Sequence, residues 1–188
     1  MGNKEIIDIE IFKAVTRAIV HSDSLEVMAA HLTQLLVGTL EIKGSSIFAL
    51  NPENGELEVL ASFGLSIDYM NKGPVLAKKS IHATTKGAPT IIRDVDKTDQ
   101  LQYPQEAKDE GVGAIISLPI KFYGRVIGEL RLYHREPWDI SEKDVDSLQL
   151  LAENIGLAMM YTRLLNAMQQ IKETVTEVHS VWLHELAK

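Results

Sequence analysis

Cysteine is absent from all 188 residues. That excludes disulfides, thiolate nucleophiles and cysteine-ligated zinc, and it fits a reducing compartment. Positive charge is also scarce: 19 Lys and Arg stand against 26 Asp and Glu, a formal charge of −7. A nucleic-acid face or an anionic membrane surface calls for the opposite balance. No apolar run reaches the roughly 18 residues of a membrane span. The opening MGNKEIIDIE has no basic region ahead of a long apolar core, so no secretory signal is expected. Ile6 stands where a myristoylation pattern needs Ser or Thr. The expectation is a cytoplasmic protein that binds neither nucleic acid nor membrane. No nucleophile–base pattern, phosphate loop or metal-ligand spacing is visible, so neither an enzyme nor a resident cofactor is expected.

What is present is a core. Hydrophobic residues make up 45% of the chain, enough for a packed domain with elaborations. Ile7, Ile11, Phe12, Val15, Ala18 and Ile19 recur at helical spacing over residues 5–20. Asp23 followed by Glu26 resembles a capping box that opens a second helix. Its stripe is Leu25, Met28, Leu32, Leu35, Leu36 and Leu40. Two short strands, 46–50 and 57–63, flank NPENG, whose Asn54-Gly55 pair marks a hairpin loop. An irregular stretch follows to about residue 101. It holds one short helix over 79–86 and one short strand over 90–93, with a further helix over 104–110 ending at Gly111.

The segment SLPIKFYGRVIGELRLYH, residues 117–134, lies in a second hairpin turning at Tyr123-Gly124. Pro119 cannot donate to a ladder, so it belongs at an edge or an irregularity. A two-residue turn pairs Ile120 with Ile127, Leu118 with Glu129 and Ile116 with Arg131. That register puts Ile116, Leu118, Glu129 and Arg131 on one face, and Gly128, Leu130 and Leu132 on the other. Ser141 then caps a long helix with Glu142 and Asp144 in its first turn. With no Pro or Gly beyond Gly156, this helix continues close to the C-terminus and reaches roughly 65 Å.

Four pieces in this order resemble the GAF family, the small-molecule-sensing domain of phosphodiesterases, phytochromes and bacterial signalling proteins. NGELEVLASFGLS resembles its second strand and following turn. KGAPTIIRDV resembles its G-x-P-x-x-I-x-D-V segment at Gly87, Pro89, Ile92, Asp94 and Val95. AIISLPIKFYGRVIGELRLY resembles its last strand pair, and WDISEKDVDSLQLLAENIGLAM its closing helix. The resemblance covers about residues 10–162. It implies an α+β fold: a central antiparallel sheet of five or six strands, with the first, second and last helices on one face. A lid of short helices and loops covers a ligand pocket on the other. The implied division is a GAF domain over 1–162 and a helical extension over 163–188.

By this resemblance the candidate pocket residues are Phe48, Ile81, His82, Tyr103, Ile116, Leu118, Glu129 and Arg131. Glu129 and Arg131 are either polar contacts for a ligand or ion-pair partners of the covering segment. His82 is either a ligand contact or an ordinary satisfied histidine, and haem ligation through it is not expected. Bilin attachment and methionine-sulfoxide reduction both need cysteine in this family, and this chain has none. The family's cyclic-nucleotide signature N-K-x-F-x-x-D-E is not continued after Asn71-Lys72, where Gly73-Pro74 follows.

Beyond Arg163 the helix keeps an apolar stripe with no domain left to cover it. Leu165, Met168, Ile171, Val175, Val178 and Trp182 are therefore the candidate dimer seam. The expected role is a sensor: an unknown small molecule binds under the lid, and a homodimer formed through the terminal helices passes the signal on. A signalling protein is a possible further partner. The alternative is a ligand-free adaptor with a collapsed pocket.

Overall fold

The computed structural model describes residues 7, 9–22, 24–77 and 87–186, with side chains described through Thr176. The helix expected over 79–86, including Ile81 and His82, lies outside the described residues, as does Asp23.

Helix α1 (Ile9–Val20) and helix α2 (Leu25–Leu40) open the chain. The N-cap of α2 is Ser24, whose hydroxyl accepts from the Val27 amide. Strands β1 (Gly44–Leu50) and β2 (Leu57–Phe63) form the first hairpin. Helix α3 (Ile67–Met70), strand β3 (Thr90–Ile92), a 3-10 turn (Val95–Lys97) and helix α4 (Pro104–Asp109) make up the described part of the middle segment. Strands β4 (Ala114–Phe122) and β5 (Arg125–His134) form the second hairpin, and helix α5 (Glu142–Leu186) closes the chain with 45 residues. The Ser141 hydroxyl accepts from the Asp144 amide and so caps α5 as its sequence implies.

The five strands are antiparallel in the order β2-β1-β5-β4-β3. One face is sealed by α1, α2 and α5. Leu32, Leu36, Ile47, Ile116, Leu118, Leu130, Leu132, Leu148, Leu151 and Ile155 meet there, all with essentially no exposure. Each such side chain contributes about 1.5–3 kcal/mol by leaving water. The helix and sheet backbones come close at Gly156: a Cβ there would lie 2.5 Å from the Lys121 carbonyl oxygen and 3.0 Å from Ile120 Cγ2.

The β4–β5 turn has Tyr123 at φ 49° and Gly124 at φ 72°, the mirror-type turn that matches strand twist. The first pairs, Phe122 with Arg125 and Lys121 with Val126, follow the expected register. A bulge then inserts Ile127, and Ile120 pairs with Gly128 instead. From there every partner is displaced by one residue: Leu118 faces Leu130, Ile116 faces Leu132, and Ser117 faces Arg131. The β5 faces come out as the sequence reading has them, but β4 is inverted. Ile116 and Leu118 therefore belong to the helix-side core and not to the lid side. A single extra residue is enough, because side chains alternate along a strand.

Pro119 sits beside this bulge. β3 pairs only with Ile115, Ile116 and Ser117, so at Pro119 the outer edge of β4 needs no donor.

Candidate functional site

The face of the sheet turned away from the three packing helices is covered by the segment between β2 and β4. Two apolar clusters sit there. Tyr69, Ile92, Val95, Ala107, Val112, Ile115 and Tyr133 form one. Phe48, Leu57, Val75 and Ala77 form the other.

Between these clusters lies a buried polar group. β5 alternation brings Glu129, Arg131 and Tyr133 to this face, and the bulge brings Ser117 from β4 opposite Arg131. Glu129 Oε1 accepts from the Ser117 hydroxyl and from Arg131 Nε. The Arg131 guanidinium also lies 5.0 Å from the Phe48 ring centroid, within cation–π range. Glu129 and Arg131 are 2% and 5% exposed. Burial works hardest against the Arg131 charge, but the Glu129 carboxylate beside it, together with the Tyr133 and Tyr69 oxygens, outweighs that and holds the guanidinium protonated. One donor remains over: Arg131 Nη2 is buried with no hydrogen-bond partner. Buried N–H groups are almost always satisfied, so this one marks a place for an acceptor.

Tyr133 stands edge-on to Tyr69, ring centroids 5.9 Å apart. Burial first, for both, raises the two phenol pKa values. Lys72 Nζ lies 3.7 Å from the Tyr69 ring centroid and donates to the Tyr69 carbonyl oxygen at 2.8 Å. Burial and then the Arg131 charge push the Lys72 ammonium down to about 8. Tyr103 donates to the Pro74 carbonyl oxygen at 2.9 Å, tying the start of α4 to the loop after α3.

The covering segment is pinned by Glu110. Its carboxylate accepts from the Ser66 amide and hydroxyl, and Lys43 Nζ lies 3.1 Å from Oε1. Burial alone would raise the Glu110 pKa, yet the Ser66 and Lys43 contacts hold it below the usual carboxylate value. A depressed carboxylate stabilises the fold above the unfolded glutamate pKa, and that stability disappears as pH falls through the folded value. The expected result is that amide protection at Ser66 and Tyr69 falls below about pH 4 and that Glu110→Gln abolishes this pH dependence. Hydrogen exchange by NMR measures it.

Asp94 behaves as a turn residue. Its Oδ1 accepts from the Asp96 amide at 3.0 Å, and Lys97 pairs with its other oxygen at 2.7 Å.

Of the eight candidate pocket residues, the structure places Phe48, Glu129 and Arg131 together on the lid side, with Tyr103 at its rim. Ile116 and Leu118 are on the opposite face, and Ile81 and His82 lie outside the described residues. Ser117, Tyr133, Tyr69 and Lys72 share this side of the sheet but lie outside that set of eight. Tyr133 shares strand parity with Glu129 and Arg131 from the sequence alone, whereas Ser117 joins them only once the bulge is known; Lys72 carries no sequence signal for its ring contact.

The other candidate surface is α5. Its buried side chains end at Met159, and every described side chain from Arg163 to Thr176 is exposed. Leu165, Met168, Ile171 and Val175 of the expected seam are exposed along that length, as is Leu164; Val178 and Trp182 fall beyond the described side chains. At its base, Ile19, Val20, Leu157, Tyr161 and Leu165 help line a groove of about 610 Å³. Among the described residues, no helix is long and apolar enough to cross a membrane.

Comparison with known proteins places this geometry. Over an alignment 150 residues long, which covers 76% of this chain and 26% of the other, the chain is 25% identical to the Nif-specific regulatory protein of Rhizobium etli. The fold is similar to the GAF domain from a phosphoenolpyruvate-protein phosphotransferase of Coxiella burnetii, at 18% identity and a TM-score of 0.76, covering 87% of this chain and 97% of that one. It is also similar to the GAF domain from the Acinetobacter phosphoenolpyruvate-protein phosphotransferase, at 15% identity and a TM-score of 0.72, covering 89% and 99%. The sequence pattern of the GAF domain matches residues 22–160. That match runs from just before α2 to the last packed turn of α5 and takes in both faces of the sheet, so the chain belongs to the GAF domain family.

Proposed function

We propose that this chain is a ligand-sensing regulatory domain, in which a small molecule held under the covering segment biases the arrangement of α5 in a homodimer. The family is commonly regulatory or sensory, and the Rhizobium etli relative is itself a regulatory protein by name. The observation that carries the reading is Arg131: a buried guanidinium with an unused donor, on the lid side of strands whose other side packs against α5. A ligand that contacts Arg131 in only one arrangement of this segment shifts the balance between arrangements. Thermal-shift screening of the full chain against purines, amino acids and organic acids tests this. Stabilisation by one class supports it, and a flat response to all of them favours the adaptor reading. The adaptor reading draws its own support from Phe48, Ile115 and Tyr133, which are already fully packed on that face.

The dimer half of the proposal rests on the exposed stripe. Ile171 and Val175 are 65% and 62% exposed, a cost in water that a second helix removes. Ile171→Asp combined with Val175→Asp should halve the mass seen by light scattering and leave the melting temperature of the domain almost unchanged. A full chain that is monomeric before mutation defeats the dimer proposal.

A further inference from the structure

The lid-side cluster is not balanced in charge. Arg131 and Lys72 lie within electrostatic reach of each other, and Glu129 is the buried carboxylate bonded to Arg131. Among the described residues no carboxylate lies within ion-pair distance of Lys72. Glu106 of α4 and Glu110 just past its end act on it only at longer range, and Glu110 is already engaged by Lys43 and Ser66. Two cations thus share one closely held anion, and one of those cations keeps a donor free. We propose that the cluster binds a small monocarboxylate, one oxygen accepting from Arg131 Nη2 and its charge offsetting that of Lys72. The proposal rests on the ligand-sensing reading above and gives that ligand a chemical class.

Three alternatives fit less well. A water or a neutral amide accepts from Nη2 but leaves the positive charge uncompensated, and hydrogen bonds between charged groups are roughly twice as strong as neutral ones. A phosphate dianion overshoots and leaves a net negative charge next to Glu129, with the desolvation that implies. A monoanion satisfies both the free donor and the charge.

Lys72 adds a pH signature. Its ammonium is pushed down to about 8 by burial and by Arg131, with Glu106 and Glu110 pulling the other way and the Tyr69 and Tyr103 rings against it. Carboxylate binding should therefore weaken as pH rises through that value, and bound carboxylate should raise the Lys72 pKa.

The test is calorimetric titration of the full chain with propionate, propionamide and inorganic phosphate at neutral pH, followed by NMR titration of the Lys72 side chain with and without propionate. The expected result is binding of propionate in preference to the other two, with a raised Lys72 pKa. Lys72→Met should weaken propionate by at least about five-fold, the effect of one unit charge at contact distance in water. Lys72 is partly exposed, so this variant keeps the fold. Propionamide binding as well as propionate, or phosphate binding better, overturns the carboxylate class but leaves a ligand site standing. Unchanged propionate affinity in Lys72→Met overturns the role of the charge. No binding of any probe overturns the carboxylate class; the sensing reading is then decided by the thermal-shift screen, where stabilisation by another class keeps it and a flat response removes it.

Discussion

Arg131→Met should cost about 3–5 kcal/mol of stability, and adding Glu129→Gln should restore part of it. The reason lies in what is left behind. Glu129 is almost wholly buried and its carboxylate oxygen serves Arg131 Nε and the Ser117 hydroxyl at once. Without Arg131, one hydroxyl must support a carboxylate in a site walled by Phe48 and the Tyr133 ring. Removing one partner of a buried pair is costly because of the unpaired charge, whereas replacing both can be close to neutral. Glutamine at 129 still accepts from Ser117 and carries no charge. Urea unfolding of the wild type, both single variants and the double variant closes the cycle. A double variant no more stable than Arg131→Met shows that the loss came from packing against Phe48 and not from the ion pair.

Gly128→Val should destabilise by at least about 3 kcal/mol, at or beyond the upper end of ordinary overpacking. Gly128 lies opposite Ala49 in β1, on the helix side of the sheet. A Cβ there would come 2.2 Å from the Phe48 carbonyl oxygen. That neighbour is backbone in a central strand, so no side-chain rotation relieves the clash. Gly38, inside α2, is the control: a Cβ there meets nothing within 4 Å. Gly38→Ala should stabilise by up to about 1 kcal/mol, the usual helix-propensity difference. Thermal unfolding of both variants checks the pair. A Gly128→Val protein that melts with the wild type means that β1 and β5 are further apart than described.

Much of this architecture is legible in the residues. The Leu25 to Leu40 stripe and the run from Val145 to Ala158 announce their helices by spacing, and burial follows them closely. Gly55 and Gly124 mark the turns because few other residues accept positive φ, and both adopt it. The Ser141 cap is a local interaction and could be read locally. What escapes is what depends on a neighbouring strand. Nothing in FYGRVIGE announces that Ile127 is extra, yet that residue decides which side of the sheet Ile116, Ser117 and Leu118 occupy. Pro119 marks the irregularity without giving its direction. The site is harder still, because Tyr69 with Lys72, Ser117 and Arg131 come from three parts of the chain, and only tertiary packing brings them to one face. Glu129 and Arg131 stand out because charges two apart in an apolar strand share a side.

Gly156 has a mechanical consequence for α5. The helix touches the end of β4 through bare backbone, and a neighbouring turn cannot take its place. Sliding α5 by one turn, about 5.4 Å, would bring Ala152 or Met160 to the spot where any Cβ lies 2.5 Å from the Lys121 oxygen. Tilting about that point moves no new atom into it. The contact therefore works as a fulcrum, and the exposed length beyond Arg163 is its lever arm: a small tilt at the sheet becomes a wide swing at the far end, with no piston stroke along the axis.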